Sequence, residues 1–245
     1  MNAQLFIQMC CAALLGFGPT QAIAQDRCSV ELILALDVSG SVDWKEYRLQ
    51  RVGVASAFRD PEVTELISFL PGGIQVAITQ WAGPQDQRVV LNWHSIQNKQ
   101  SSFAFADKIE DTTRYTSGPM TAIGNALIHA NRLLQRNPKP CLKSVIDVSA
   151  DGHNNQGNEP ADVAAILEAK GVTINALVVV GEDLTLLRYF EKNVIRGHGA
   201  FVQPTYGYKD YARAIKEKLL RELSPSLSYI DTEQPNHFVT VEYKK

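Results

Sequence analysis

The chain has 245 residues, 45% of them hydrophobic and 20% charged, and its 24 Lys and Arg nearly balance 26 Asp and Glu. A net charge of −2 lacks the basic footprint of nucleic-acid and anionic-membrane binders, so neither partner has support. A chain this long buries a core that stands without metal or disulfide staples, so any metal site is expected to serve function.

Residues 1–24 carry no charged side chain, and the apolar stretch Leu5 to Phe17 leads to Ala22-Ile23-Ala24 ahead of polar Gln25-Asp26-Arg27. That is the pattern of a secretory signal peptide cleaved after Ala24, although Met1 alone supplies the positive charge of its first region. Leu5 to Phe17 is too short for the roughly 20 residues that span a bilayer. The expectation is an exported protein, periplasmic or extracellular, with no transmembrane segment in the mature chain. Cys10 and Cys11 leave with the signal, and Cys28 and Cys141 remain. Two cysteines in an exported chain suggest one disulfide, with two buried free thiols as the alternative.

From Cys28 on, strand-like runs alternate with helix-like ones, the pattern of an α/β domain with a mostly parallel sheet. The first strand, Glu31 to Leu36, ends in Asp37-Val38-Ser39-Gly40-Ser41, and a helix from Asp43 to Arg59 follows, with Asp43 and Glu46 spaced as a capping box. Ile74 to Trp81 and Arg88 to Trp93 are joined by six residues, too few for a crossover, so the third strand is antiparallel at the sheet edge. Trp81 and Trp93 end these neighbouring strands and are expected to pack together.

Helices at Ser102 to Ile109 and Thr121 to Gln135 come next; in the latter, Ile123, Ala126, Leu127, Ala130 and Leu134 form one apolar stripe. The fourth strand, Ser144 to Ser149, leads into Ala150-Asp151-Gly152. It carries Asp147 in an otherwise apolar run, where a carboxylate needs a structural partner. Cys28 and Cys141 each precede a strand, so their starts lie side by side if those strands are parallel neighbours. The rest is a helix at Pro160 to Ala169, a strand at Val172 to Val180, a helix at Asp183 to Val194, a short strand at Ala200 to Gln203 and a helix at Lys209 to Leu223. The domain is placed at 25–223, with a polar tail at 224–245 whose alternation from Phe238 to Tyr243 suits an added edge strand.

In a parallel sheet, ligands bind at the carboxyl ends of the strands. Asp37, Ser39 and Ser41 converge there, Asp151 brings a second carboxylate to the same edge, and Thr121 opens a helix facing the same cleft. Carboxylates and hydroxyls suit a hard cation that prefers oxygen. DVSGS, the Thr of MTAIGNAL and the Asp of VSADG, in this order, resemble the metal-ion-dependent adhesion site of a von Willebrand factor type A domain. The runs EYRLQR, FRDP, QWAGP, VIDVSADGHNN and GVTINAL resemble, more narrowly, an uncharacterised family of exported proteobacterial proteins with that domain.

The resemblance covers about Cys28 to Glu222. It implies a doubly wound six-stranded sheet of order 3-2-1-4-5-6, which sets the strands after Cys28 and Cys141 side by side. It further implies Ser39, Ser41 and Thr121 as hydroxyl ligands, with Asp37 and Asp151 acting mainly through bound water. The expected ion is Mg²⁺, with Mn²⁺ and Ca²⁺ as the other oxygen-preferring choices, and a protein partner's Asp or Glu completes the shell. His153, Asn154 and Asn155 directly follow Asp151 and are expected at the rim.

A metal-dependent hydrolase or phosphoryl-transfer enzyme at the same cleft is the rival reading. Ser39 stands where such a motif needs a second Asp, and no nucleophile elbow, Walker loop or dinucleotide fingerprint occurs. The five histidines show no metal-ligand spacing. A two-lobed solute-binding protein is disfavoured by a single six-strand pattern.

Overall fold

The computed structural model describes residues 27–115 and 118–224. The expected signal peptide and the tail from residue 225 on lie outside the described residues. Among the described residues six strands form one sheet: β1 (Val30–Asp37), β2 (Ile74–Trp81), β3 (Gln87–Ile96), β4 (Lys143–Ala150), β5 (Val172–Val179) and β6 (Val202–Thr205). Their order is β3-β2-β1-β4-β5-β6, and only the edge strand β3 is antiparallel to its neighbour.

Seven α-helices of the described residues surround it: α1 (Trp44–Arg59), α2 (Pro61–Phe69), α3 (Lys99–Glu110), α4 (Ile123–Leu134), α5 (Pro160–Glu168), α6 (Leu186–Asn193) and α7 (Tyr211–Leu223). β1, β2 and β5 are buried from end to end, as strands covered on both faces must be. Leu32, Leu34 and Leu36 point to a core shared with α1, α2, α3 and α7, while Ile33 and Ala35 point to one shared with α4, α5 and α6. Period-two alternation along β1 thus feeds both layers. The stripe of α4 and the Tyr211, Ile215, Leu219, Leu223 stripe of α7 are buried as periodicity requires.

Two features depart from the expectations of the sequence. Residues after Arg59 form helix α2, capped by the Asp60 side chain on the Glu62 N–H, with Pro61 in its first turn. Trp81 and Trp93 are not partners. The antiparallel register sets Trp81 opposite Gln87 and Val76 opposite His94, so Trp93 lies toward the other end of β2, its Nε1–H donating to the Leu133 carbonyl on α4.

Cys28 and Cys141 form a disulfide, with Cα atoms 4.6 Å apart. The pairing of Val30 with Lys143 places the two strand starts side by side and makes the bond geometrically natural.

Asp147 has the partner its burial demands. On β4 it faces α7, where Lys218 Nζ stands 2.8 Å from its Oδ1 and also pairs with Glu222 one turn on. Asn175 Nδ2 donates to Glu222 Oε1 at 2.8 Å, and the Phe201 N–H donates to Asn175 Oδ1 at 3.1 Å. Burial pushes the Asp147 carboxyl up to about 7, with Lys218 opposing and Glu222 reinforcing the shift.

Candidate metal centre

The site forms where β1 and β4 end next to each other. Asp37 closes β1 and is fully buried; its Oδ1 accepts the Ser39 N–H at 2.7 Å, which curls the following loop back toward the strand end. Ser39 Oγ and Ser41 Oγ stand 3.2 Å apart, and Ser41 Oγ donates to Asp151 Oδ1 at 2.7 Å. A continuous row of oxygens therefore runs from the β1 loop to the residue after β4.

Thr121 reaches the same edge by a separate route. The Ala122 N–H donates to the Ala82 carbonyl just past β2, while the Val38 N–H donates to Trp81, so both segments lean on the end of one strand. Thr121 and Asn155 clasp each other: the Thr121 N–H donates to Asn155 Oδ1, and the Asn155 N–H to the Thr121 carbonyl, each at 2.9 Å. Asn154 Oδ1 accepts the Ile123 N–H at 2.8 Å and caps a helix start whose own Ala122 provides no side-chain cap. Gly124 admits this loop, because a Cβ there would meet the Asn158 carbonyl at 2.2 Å. No hydrogen bond among the described residues joins the Thr121 hydroxyl to the Ser39, Ser41 and Asp151 row.

Three further residues, absent from the sequence reading, shape the centre. Arg114 donates to the Val38 and Ser39 carbonyls, both at 2.9 Å, and clamps the loop from outside. Its own segment is held by Gln80, which donates to the Thr113 carbonyl and accepts the Tyr115 N–H at 2.7 Å. Tyr208, in a short 3-10 turn ahead of α7, donates to Asp151 Oδ2 at 3.3 Å. Each contact spans dozens of residues in sequence, so no local motif announces it.

His153 is partly exposed, its Nδ1 3.4 Å from Asp183 Oδ2 and its ring centroid 4.4 Å from that of Tyr189. Asn154 and Asn155 commit their side-chain oxygens to backbone N–H groups of the α4 start.

The electrostatics fit a cation. Burial pushes the Asp37 carboxyl up to about 7, the nearby charge of Asp151 adds to that shift, and the Ser39 hydrogen bonds and Arg114 oppose it. Asp37 Oδ2 is buried with no hydrogen-bond partner among the described residues, which makes a retained charge costly without a counter-ion. Among the described residues no three His, Cys, Asp or Glu side chains group as a metal site. The candidate donors are two carboxylates and hydroxyls, an all-oxygen set of the kind hard divalent ions prefer.

Solved structures share this fold. Proximal thread matrix protein 1 from the mussel byssus superposes with a TM-score of 0.59 at 20% identity, over 80% of this chain and 48% of that one. A second structure of that protein, with a zinc-occupied MIDAS motif, gives 0.57 at 18% identity over 79% and 45%. A von Willebrand factor type A protein from Catenulispora acidiphila gives 0.56 at 19% identity over 80% and 43%. The chain spans less than half the length of each, and at these identities the likeness establishes the fold alone. No curated protein matches the sequence. The family model described as "Protein of unknown function (DUF1194)" matches residues 27–227, so the chain belongs to that family, here built as a von Willebrand factor A-like α/β domain.

Proposed function

We propose that the protein is an exported, divalent-cation-dependent protein-binding module, with Asp37, Ser39, Ser41, Thr121 and Asp151 holding the ion, Mg²⁺ by preference. The observation that carries the reading is the oxygen row from Asp37 to Asp151, closed by the 2.7 Å bond from Ser41, beside a buried carboxylate oxygen that has no other partner among the described residues. The ion would supply a Lewis-acidic point at which a partner's Asp or Glu binds, and His153, Asn154 and Asn155 would form the rim that partner meets. The zinc-occupied MIDAS motif of the byssus protein supports a divalent ion on this fold.

Calorimetric titration of Mg²⁺, Mn²⁺ and Ca²⁺ into the purified protein, with Asp37→Ala beside it, tests the reading. Saturable binding lost in the variant is expected. A folded wild type that takes up none of the three ions defeats it.

A further inference from the structure

Five large hydrophobic side chains lie exposed on the face where the strands end: Trp44, Tyr115, Met120, Leu184 and Tyr206. Trp44 is distinguished from the others by how it is held. It is the first residue of α1, immediately past the candidate metal loop, and remains 68% exposed. Arg114 lies over its ring, 5.4 Å from the centroid, and the same guanidinium grips the Val38 and Ser39 carbonyls. Tyr47 packs edge-on against the indole, with centroids 6.1 Å apart. An exposed tryptophan fixed in advance loses little conformational freedom on binding, the property of an interface anchor.

We propose that Trp44 is a second recognition point on this face, taking an aromatic or aliphatic side chain of a protein partner beside the carboxylate that meets the metal. The idea rests on the metal-dependent reading above. The chemistry of the second side chain follows from charge: Arg114 already lies against the indole, so a further cation there meets repulsion, while a neutral apolar group gains contact area without that cost. Trp44 follows Ser41 by three positions, so a peptide whose carboxylate meets the ion needs its apolar side chain nearby, and alternate side chains of an extended peptide stand about 7 Å apart on one face.

The test uses three capped heptapeptides, GGEGFGG, GGEGSGG and GGQGFGG, titrated by calorimetry into the protein with saturating Mg²⁺. The phenylalanine peptide is expected to bind at least tenfold more tightly than the serine peptide, and the glutamine peptide to fail. Trp44→Ala should erase the preference for phenylalanine while leaving Mg²⁺ affinity within twofold, and Trp44→Phe should restore part of it. Equal affinities for the first two peptides, absence of binding by both, or a preference that survives Trp44→Ala overturns the inference while Mg²⁺ binding stands. Loss of Mg²⁺ binding in the wild type removes the metal reading itself.

Discussion

Ser41 Oγ and Asp151 Oδ1, 110 positions apart in the chain, are joined by a 2.7 Å hydrogen bond across the ends of β1 and β4. Ser41 is exposed, so the bond adds little to stability, and its worth lies in where it holds two oxygens. Ser41→Ala is expected to leave the denaturant midpoint nearly unchanged, within about 0.5 kcal/mol, and to weaken Mg²⁺ binding at least tenfold. A variant with wild-type affinity would show that the Ser41 hydroxyl is no ligand.

Asp37 gives a complementary prediction. Its carboxylate is buried beside Asp151, with one oxygen bonded by the Ser39 N–H and the other without a donor among the described residues. Asp37→Asn keeps an acceptor for Ser39 and removes the charge. In chelator at pH 8 the variant should be at least as stable as the wild type, while binding no Mg²⁺. Destabilisation by more than about 1 kcal/mol would mean the charge has a structural partner that outweighs its desolvation.

Arg114 is expected to order the loop whether or not an ion is present. Both bonds, to the Val38 and Ser39 carbonyls, come from its Nη2, which the planar guanidinium holds in one orientation, whereas the lysine ammonium is a freely rotating point charge. In Arg114→Ala and Arg114→Lys, amide exchange at Ser39 to Ser41 should accelerate by about tenfold, corresponding to roughly 1.4 kcal/mol of lost local protection. Unchanged exchange in both variants would show that Arg114 does not order the loop.

The unequal legibility of these residues in the sequence has a physical basis. β1, β4 and β5 announce themselves because strands buried on both faces need continuous apolar runs. Asp37, Ser39, Ser41 and Asp151 stand out because they follow such runs directly. Arg114, Gln80 and Tyr208 act through backbone and side-chain groups far away in the chain, which no local spacing encodes. Lys218 and Glu222 mimic an exposed i, i+4 pair on α7, yet both are buried, because Asp147 and Asn175 on the sheet face them. The helix α2 did carry a readable signal, Asp60 before Pro61, obscured by its closeness to the end of α1. Trp93 lies apart from Trp81 because residues toward the carboxyl ends of two strands stand at opposite ends once the strands run antiparallel.

The Asp147, Lys218 and Glu222 group predicts a pH dependence. Burial raises the folded-state proton affinity of Asp147 to about 7, above the ordinary value of 3.8. Between those values the folded chain holds a proton that the unfolded chain has lost, so stability falls as pH rises from about 4 to about 7. Asp147→Asn should remove this part of the slope, measured as the denaturant midpoint across that range. Lys218→Met leaves two buried carboxylates without their cation and should cost about 3–5 kcal/mol. A wild type and Asp147→Asn with parallel pH profiles would place the proton on another group.

The disulfide offers the last prediction. It closes a loop of 113 positions between the starts of β1 and β4, and in the chain-entropy account a loop of that size stabilises by roughly 4–5 kcal/mol as an upper figure. The two strands lie at the sheet centre and hold each other by the parallel ladder from Val30–Lys143 to Leu36–Ser149, so the fold should survive loss of the bond while its margin shrinks. The Cys28→Ala, Cys141→Ala double variant is therefore expected to unfold at lower denaturant with an unchanged native near-ultraviolet spectrum. Because the bond lies at the amino ends of the strands and the oxygen row at their carboxyl ends, Mg²⁺ affinity should stay within twofold. A collapse of metal binding in a variant that keeps its native spectrum would mean that strain at one end of β1 reaches Asp37 at the other.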